Sequence, residues 1–251
     1  MTRVAFVTGG GRGIGREIAT AFVRAGLAVA VAARTRADVE DVARALRAIG
    51  GRTMAVTLDV GDADAVTLAV AAVGATLGPI DVLVNNAGIA ESAPLGRTDL
   101  DMWERHFRTN VTGPFLLIRA VLPGMLERAW GRVINVASVA GLAGAPYVSA
   151  YSASKHALVG LTRALAAEVR GTGVTVNALC PGFTATELVW SSARNIVAKT
   201  GKTYDEAVAA LATMNPGGRL IEPSEVAALA VRLLHEDRNG EALVIDGKEA
   251  A

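Results

Sequence analysis

Tyr151 and Lys155 stand four residues apart in the stretch Tyr151-Ser152-Ala153-Ser154-Lys155, which reads as helix. That spacing puts both side chains on one helix face. A free phenol has a pKa near ~10 and exchanges protons poorly at neutral pH, whereas a fixed ammonium beside it favours the phenolate and lowers that value. The pair therefore reads as a proton donor with its activator. Ser138 is expected to close a strand at the carboxyl edge of an open sheet, where such sheets bind ligands. From there its hydroxyl would hold a carbonyl oxygen while Tyr151 protonates it. Singly, each residue has a structural reading, since serines at strand ends often cap helices. Together they point to acid/base chemistry on a carbonyl or a secondary alcohol.

A second constellation lies at the start of the chain. The apolar run from Val4 leads into Thr8-Gly9-Gly10-Gly11-Arg12-Gly13-Ile14-Gly15, and a helical stretch follows. Glycines at a strand-to-helix turn let backbone amides approach a pyrophosphate, and the helix N-terminus adds positive potential. The spacing is TGxxxGxG, not GxGxxG. At the end of the second strand a carboxylate would bind a ribose 2′-hydroxyl and repel a 2′-phosphate. This chain has Arg34, Thr35 and Arg36 there, and Arg12 in the glycine turn. NADP(H) is therefore the preferred nucleotide. Asp38 and Glu40 lie slightly further on and keep NAD(H) open; the same cations also fit a solvated loop.

These residues need elements to position them. Apolar, β-prone runs near 3–8, 28–34, 52–58, 80–84, 132–138, 174–180 and 242–246 alternate with helical stretches near 13–25, 38–49, 62–77, 98–128, 149–171 and 223–235. This rhythm predicts an α/β fold, a Rossmann-type doubly wound parallel sheet of about seven strands with helices on both faces. No linker or repeat divides residues 1–251, so one domain is expected. Residues 183–215 break the rhythm and read as one or two short helices forming a substrate lid.

Composition excludes several function classes. The 25 Lys and Arg against 24 Asp and Glu leave no basic excess for nucleic acid. No apolar run approaches the ~20 residues of a membrane helix, and no signal peptide is read at the N-terminus. The single cysteine, Cys180, fits a reducing compartment, so a cytoplasmic protein is expected. His106, His156 and His235 have no metal-ligand spacing and are read as surface or packing residues, and no metal site is expected.

Jointly these motifs resemble the short-chain dehydrogenase/reductase family, over essentially the whole chain. The TGxxxGxG turn matches Thr8 to Gly15, with Gly9, Arg12, Gly13, Ile14 and Gly15 as nucleotide contacts. The resemblance places the adenine-contacting acid at Asp59, followed by Val60, and the NNAG element at Asn85, Asn86, Ala87 and Gly88. It places the helix asparagine at Asn110, the serine at Ser138, the YxxxK pair at Tyr151 and Lys155, and the PG turn at Pro181 and Gly182, with Thr186 and nearby Thr184 for the nicotinamide carboxamide. It implies hydride transfer between nicotinamide C4 and a carbonyl carbon, with Tyr151 as proton donor and Ser138 orienting the oxygen. Lys155 would also grip the nicotinamide ribose, and Asn110 would hold a water linking Lys155 to solvent.

The lid contributes Phe183, Leu188, Val189, Trp190 and Met214, with Arg194, Lys199 and Lys202 among them. An apolar pocket with a cationic rim suits a 3-oxoacyl or 3-hydroxyacyl thioester, and equally a cyclic alcohol or an aromatic ketone. Members that act on carrier proteins usually end in a longer glycine-rich tail, whereas this chain closes at Asp246-Gly247-Lys248-Glu249-Ala250-Ala251, which points away from a carrier-protein substrate. The resemblance further implies a homotetramer assembled through helices 98–128 and 149–171. A non-catalytic nucleotide sensor on the same fold would be expected to have lost one of the four catalytic residues.

Overall fold

The computed structural model describes residues 2–248; of the expected C-terminal tail, Glu249, Ala250 and Ala251 lie outside the described residues. Seven strands form one all-parallel sheet: β1 (Val4–Thr8), β2 (Ala28–Ala33), β3 (Thr53–Thr57), β4 (Ile80–Asn85), β5 (Gly131–Val136), β6 (Val174–Pro181) and β7 (Ala242–Ile245). Their order is β3-β2-β1-β4-β5-β6-β7. The chain therefore winds outward both ways from β1 and β4. This reversal opens a crevice at their carboxyl ends, where ligands of open α/β sheets bind.

Strands β1, β2 and β4 to β6 are almost continuously buried because both faces are covered. Alternate residues of β1 serve opposite cores. Val4 and Phe6 pack against α3 (Ala63–Leu77) and α5 (Gly113–Glu127), while Ala5 and Val7 pack against α1 (Gly13–Arg24), α2 (Arg36–Ala48) and α9 (Pro223–Arg232). Helix starts are chemically marked. The Asp62 side chain accepts from the amides of Asp64 and Ala65 to cap α3, and Asp99 accepts from Met102 to cap α4 (Leu100–Phe107). The remaining helices are α6 (Ser149–Glu168), α7 (Glu187–Thr200) and α8 (Tyr204–Ala212), the last opened by a Thr203/Glu206 capping box.

Two sequence expectations need correction. The single helix over 98–128 is two helices, α4 and α5, joined by a π turn at Arg108–Thr112 that contains Asn110. Pro114, at the start of α5, has no N–H to offer the Asn110 carbonyl four residues earlier, so a regular α-helical ladder is broken here. Ser138 does not close β5, which ends at Val136. It caps a 3-10 turn at Val139–Gly141, and its Oγ accepts from the Ala140 amide at 3.1 Å. The segment 183–215 carries α7 and α8, as the two-helix reading expects.

A buried polar chain ties the carboxyl half of the sheet to α6. Asn85 Nδ2 donates to Asn135 Oδ1 at 2.8 Å, and Asn135 Nδ2 donates to Thr162 Oγ1 at 2.9 Å. Asn135→Leu keeps the branching at Cγ but orphans the Asn85 amide, a cost of about 1–3 kcal/mol. At roughly 2–4 °C per kcal/mol for a chain of this size, calorimetry should record a clear drop in Tm. The Asn85→Leu/Asn135→Leu double variant, with both partners apolar, should recover part of it; a double variant less stable than the single one would contradict this account.

Candidate active site at the carboxyl edge of the sheet

The glycine turn is locked to the end of β4 by one hydroxyl and one amide. Thr8 Oγ1 donates to the Val84 carbonyl and accepts from the amides of Asn86 and Ala87, each at 3.1 Å. Asn86 Nδ2 donates to the carbonyls of Thr8 at 3.0 Å and Gly9 at 3.1 Å. Gly9 and Gly13 have left-handed φ of +62° and +54°, which side chains rarely adopt. A methyl on Gly15 would run into the Gly9 carbonyl and the Asn86 amide, so the turn packs as backbone against backbone. Ile14 packs beneath it on the α1/α2/α9 core. Thr8, the first residue of the TGxxxGxG motif, is thus what ties the turn to the end of β4.

Across the crevice, Pro181 ends β6 and the Gly182 amide donates to the Ile245 carbonyl at 2.9 Å. Thr184 is buried and donates to the Gly182 carbonyl, and Thr186 donates to that of Thr184. A methyl on Gly13 would lie 3.2 Å from Thr186 Cγ2, so the two nucleotide-type turns face one another. Asn215 secures the second. Its Oδ1 accepts from the Phe183 amide, while its Nδ2 donates to the carbonyls of Phe183 and Arg219. Nothing in its local sequence marks this buried asparagine.

Beside the first turn, Arg12 occupies the N-cap position of α1, and Arg34 and Thr35 directly follow β2, all exposed. Among the described residues no carboxylate pairs with Arg12 or Arg34, whereas Arg36 is bound to Glu40 at 2.6 Å. Asp38 lies against Gly11, where an added methyl would come within 2.9 Å of its Cβ. Asp59 accepts from the Gly61 amide at 2.9 Å and pairs with Arg108 of the π turn at 3.3 Å, and Val60 is buried under Gly113.

At the centre, the Tyr151 phenol lies beside the Ser138 hydroxyl, and Lys155 Nζ donates to the Val136 carbonyl at 2.8 Å. Lys155 is only 5% exposed, and no carboxylate pairs with it among the described residues. Its Nζ is 5.8 Å from the centre of the Tyr151 ring. Gly88 lies beside both Lys155 and Asn110, for a methyl there would be 3.5 Å from Nζ and 3.2 Å from Asn110 Oδ1. The Asn110 side chain clamps Ile89 through both its amide and its carbonyl, and donates to Ser154 Oγ, which in turn donates to the Tyr151 carbonyl. Cys180 is fully buried beside the Ser138 backbone, and burial pushes its thiol up from its ordinary value.

Residues 3–196 match the short chain dehydrogenase family. The chain belongs to that family. It is 38% identical over 237 residues to an acetoacetyl-CoA reductase from Shinella zoogloeoides, covering 94% of this chain and 92% of the relative. It is 38% identical over 244 residues to 2-(S)-hydroxypropyl-CoM dehydrogenase 3 from Xanthobacter autotrophicus, covering 96% and 94%. Among solved structures it superposes on a single-substitution variant of an actinorhodin polyketide ketoreductase with NADPH at a TM-score of 0.94, with 37% identity and coverage of 98% and 96%. As a short-chain dehydrogenase it is an oxidoreductase of alcohols and ketones that depends on a nicotinamide nucleotide. Among the described residues there is no cluster that could hold a metal, and no helix is long and apolar enough to cross a membrane.

In this short-chain dehydrogenase the proton chemistry departs from the sequence expectation. Burial pushes the Tyr151 phenol up from its ordinary value, against the opposing pull of the Ser138 hydroxyl beside it. The expected lowering by Lys155 is not seen, because Nζ is beyond hydrogen-bond reach of the phenol ring and burial acts on the lysine too. Burial brings the ammonium from 10.5 to about 8. The folded chain thus holds this proton less tightly than the unfolded one. Below about pH 8 the full penalty of burying the charge is present, and it fades as pH rises toward 10.5.

The segment 183–215 also sorts itself differently from expectation. Val189 is buried, and Phe183 and Trp190 pack with it in a small core between α7 and α8. Arg194 is paired with Glu187, while Leu188, Met214, Lys199 and Lys202 remain exposed.

Lys155→Met removes the buried charge at the cost of a single hydrogen bond. Its Tm should exceed that of the wild type at pH 7, with the gap shrinking between pH 8 and 10.5. A gap that is absent or widens with pH would contradict the assignment.

Proposed function

We propose that the chain is an NADP(H)-dependent ketoreductase acting on a 3-oxoacyl/3-hydroxyacyl thioester pair. The observation that carries the reading is a tyrosine beside a serine, and behind it a buried lysine with no counterion among the described residues, at the carboxyl edge where the sheet order reverses. When bound, the nicotinamide ring would supply the hydride. Tyr151 would deliver the proton to the carbonyl oxygen, and Ser138 would hold that oxygen in place. Lys155 would donate to the nicotinamide ribose, whose oxygens and nearby phosphates would return the solvation its ammonium lacks. The Asn110 side chain is occupied by Ile89 and Ser154, so a water linking Lys155 to solvent would rest on the Asn110 backbone carbonyl.

The other roles follow the same geometry. Backbone amides from Gly9 to Gly15 would receive the pyrophosphate, and Asp59 and Val60 the adenine. Asn86, Ala87 and Gly88 would flank the ribose, while Pro181, Gly182, Thr184 and Thr186 would receive the carboxamide. Arg12 and Arg34, free of carboxylate partners, with Thr35 between β2 and α2, would take the 2′-phosphate. The thioester class is supported by the names acetoacetyl-CoA reductase and polyketide ketoreductase among its relatives. The lid over residues 183–215 offers Leu188 and Met214 to an acyl chain, and Lys199 and Lys202 to phosphates of a thioester carrier.

A second reading, a dehydrogenase of a small, cyclic or aromatic secondary alcohol using NAD(H), rests on Asp38 packed against Gly11 and on the CoM dehydrogenase relative. A non-catalytic sensor is disfavoured by the presence of Asn110, Ser138, Tyr151 and Lys155 together. A cytoplasmic homotetramer is part of the proposal. Leu100, Trp103, Phe115 and Leu126 expose apolar surface along α4 and α5, as a face between subunits would.

Two variants test the reading. Tyr151→Phe removes only the proton donor, so turnover of acetoacetyl-CoA with NADPH should fall by at least about 100-fold while nucleotide affinity changes little. Near-full activity would overturn the mechanism. Arg34→Glu should move the ratio of kcat/KM for NADPH over NADH toward NADH by an order of magnitude or more, and an unchanged ratio would favour the NAD(H) reading. The assay should set acyl thioesters beside cyclic and aromatic ketones.

A further inference from the structure

His106 is an exception among the three histidines. It sits on α4 with no exposed surface, whereas His156 and His235 are exposed. Both of its ring nitrogens are engaged. Nδ1 lies 2.7 Å from the Met102 carbonyl, which can only accept, and Nε2 lies 3.1 Å from the Glu91 amide, which can only donate. Those partners define a single neutral tautomer, Nδ1–H, with the lone pair on Nε2. A carbonyl one turn back on the same helix and an amide on the loop after β4 thereby fix the plane of the ring. The ring meets Tyr151 edge-on, with centroids 6.4 Å apart and planes at 73°.

The surroundings make this more than packing. Asn110, one helical turn on, holds the same loop at Ile89, and Arg105 pairs with Glu91 at 3.2 Å. Through Ser154, Asn110 also holds the Tyr151 carbonyl. The backbone of Tyr151 is thus positioned by one residue of the α4 and π-turn segment, and its ring is touched by another. The phenol lies beside Ser138, so a swing of the ring would carry it away from that hydroxyl.

We propose that His106 is a positioning residue for Tyr151, held as the neutral Nδ1–H tautomer between Met102 and Glu91 so that its ring edge keeps the phenol aimed at Ser138. The inference rests on the ketoreductase reading above, in which Tyr151 is the proton donor. His106 touches neither Ser138 nor Lys155 and acts only through the tyrosine. It would therefore govern the proton-transfer step and leave nucleotide binding alone.

Three variants in the full-length enzyme test this. His106→Leu fills the space without an aromatic edge. His106→Phe keeps the ring and gives up both hydrogen bonds, and His106→Gln keeps an acceptor for Glu91 and gives up the ring. With acetoacetyl-CoA and NADPH, His106→Leu should lower kcat at least tenfold, leave the NADPH dissociation constant within twofold, and displace the pH at which kcat titrates. His106→Phe should stay above His106→Gln in kcat. If His106→Leu fails to fold, the order of Phe and Gln decides alone. A purely structural histidine would lower Tm in all three without moving the pH profile, and that result would overturn the proposal, as would Gln equal to or better than Phe. A wild type that reduces none of the offered ketones would defeat the ketoreductase reading and this inference together. An active wild type whose kcat and pH profile ignore His106→Leu would defeat the positioning role alone.

Discussion

An ammonium taken out of water without a counter-charge is the constraint around which this molecule is arranged. Lys155 is buried under the carboxyl edge of the sheet, where among the described residues it donates to one backbone carbonyl and no carboxylate neutralises it. Burial without compensation is expensive for an ion, and the group responds by releasing its proton more readily. Such a site favours an anionic partner. In the proposed mechanism, an anionic, hydroxyl-rich nucleotide supplies what is missing, so binding energy and catalytic electrostatics derive from one interaction.

The remainder of the fold serves to make that burial possible. Winding the sheet outward from β1 and β4 leaves a crevice, and glycines without side chains let the first turn close against Asn86 and Ala87. The π turn then breaks what would be one long helix and lets Asn110 hold both the loop at Ile89 and, through Ser154, the tyrosine backbone. Local irregularity is concentrated where the chemistry is placed, and the surrounding sheet remains regular. The buried Asn85–Asn135–Thr162 chain shows a different arrangement: both side-chain amide N–H groups find oxygen acceptors inside, while Asn85 Oδ1 has no partner among the described residues.

Much of this is legible in the sequence because periodicity and glycine spacing are local signals. The seven strands, the crossovers and the positions of Tyr151, Lys155 and the glycine turn follow from runs of a few residues, whereas Ser138 lies two residues past the end of β5 rather than closing it. What escapes depends on contacts between distant segments. The break at Asn110 is written in Pro114, but its effect shows only when α5 packs on α3. Asn215 and His106 carry no local signal; Asn215 is defined by partners on the segment after β6, and His106 by partners on the loop after β4 and on α6. The direction of the Tyr151 shift is missed for the same reason, since spacing along a helix reveals proximity to a charge but not how dry the site is. Similarly, Val189 and Trp190 read as pocket lining, yet two short helices need a core of their own.

The central claim is that Lys155 lacks a partner which the nucleotide provides. Calorimetric titration of NADPH at pH 9, repeated in buffers of different ionisation enthalpy, measures the protons taken up on binding. The account predicts substantial uptake by the wild type and none by a variant lacking the lysine, because binding restores the charge that burial had driven off. Binding without proton uptake, or the same uptake in both proteins, would contradict it.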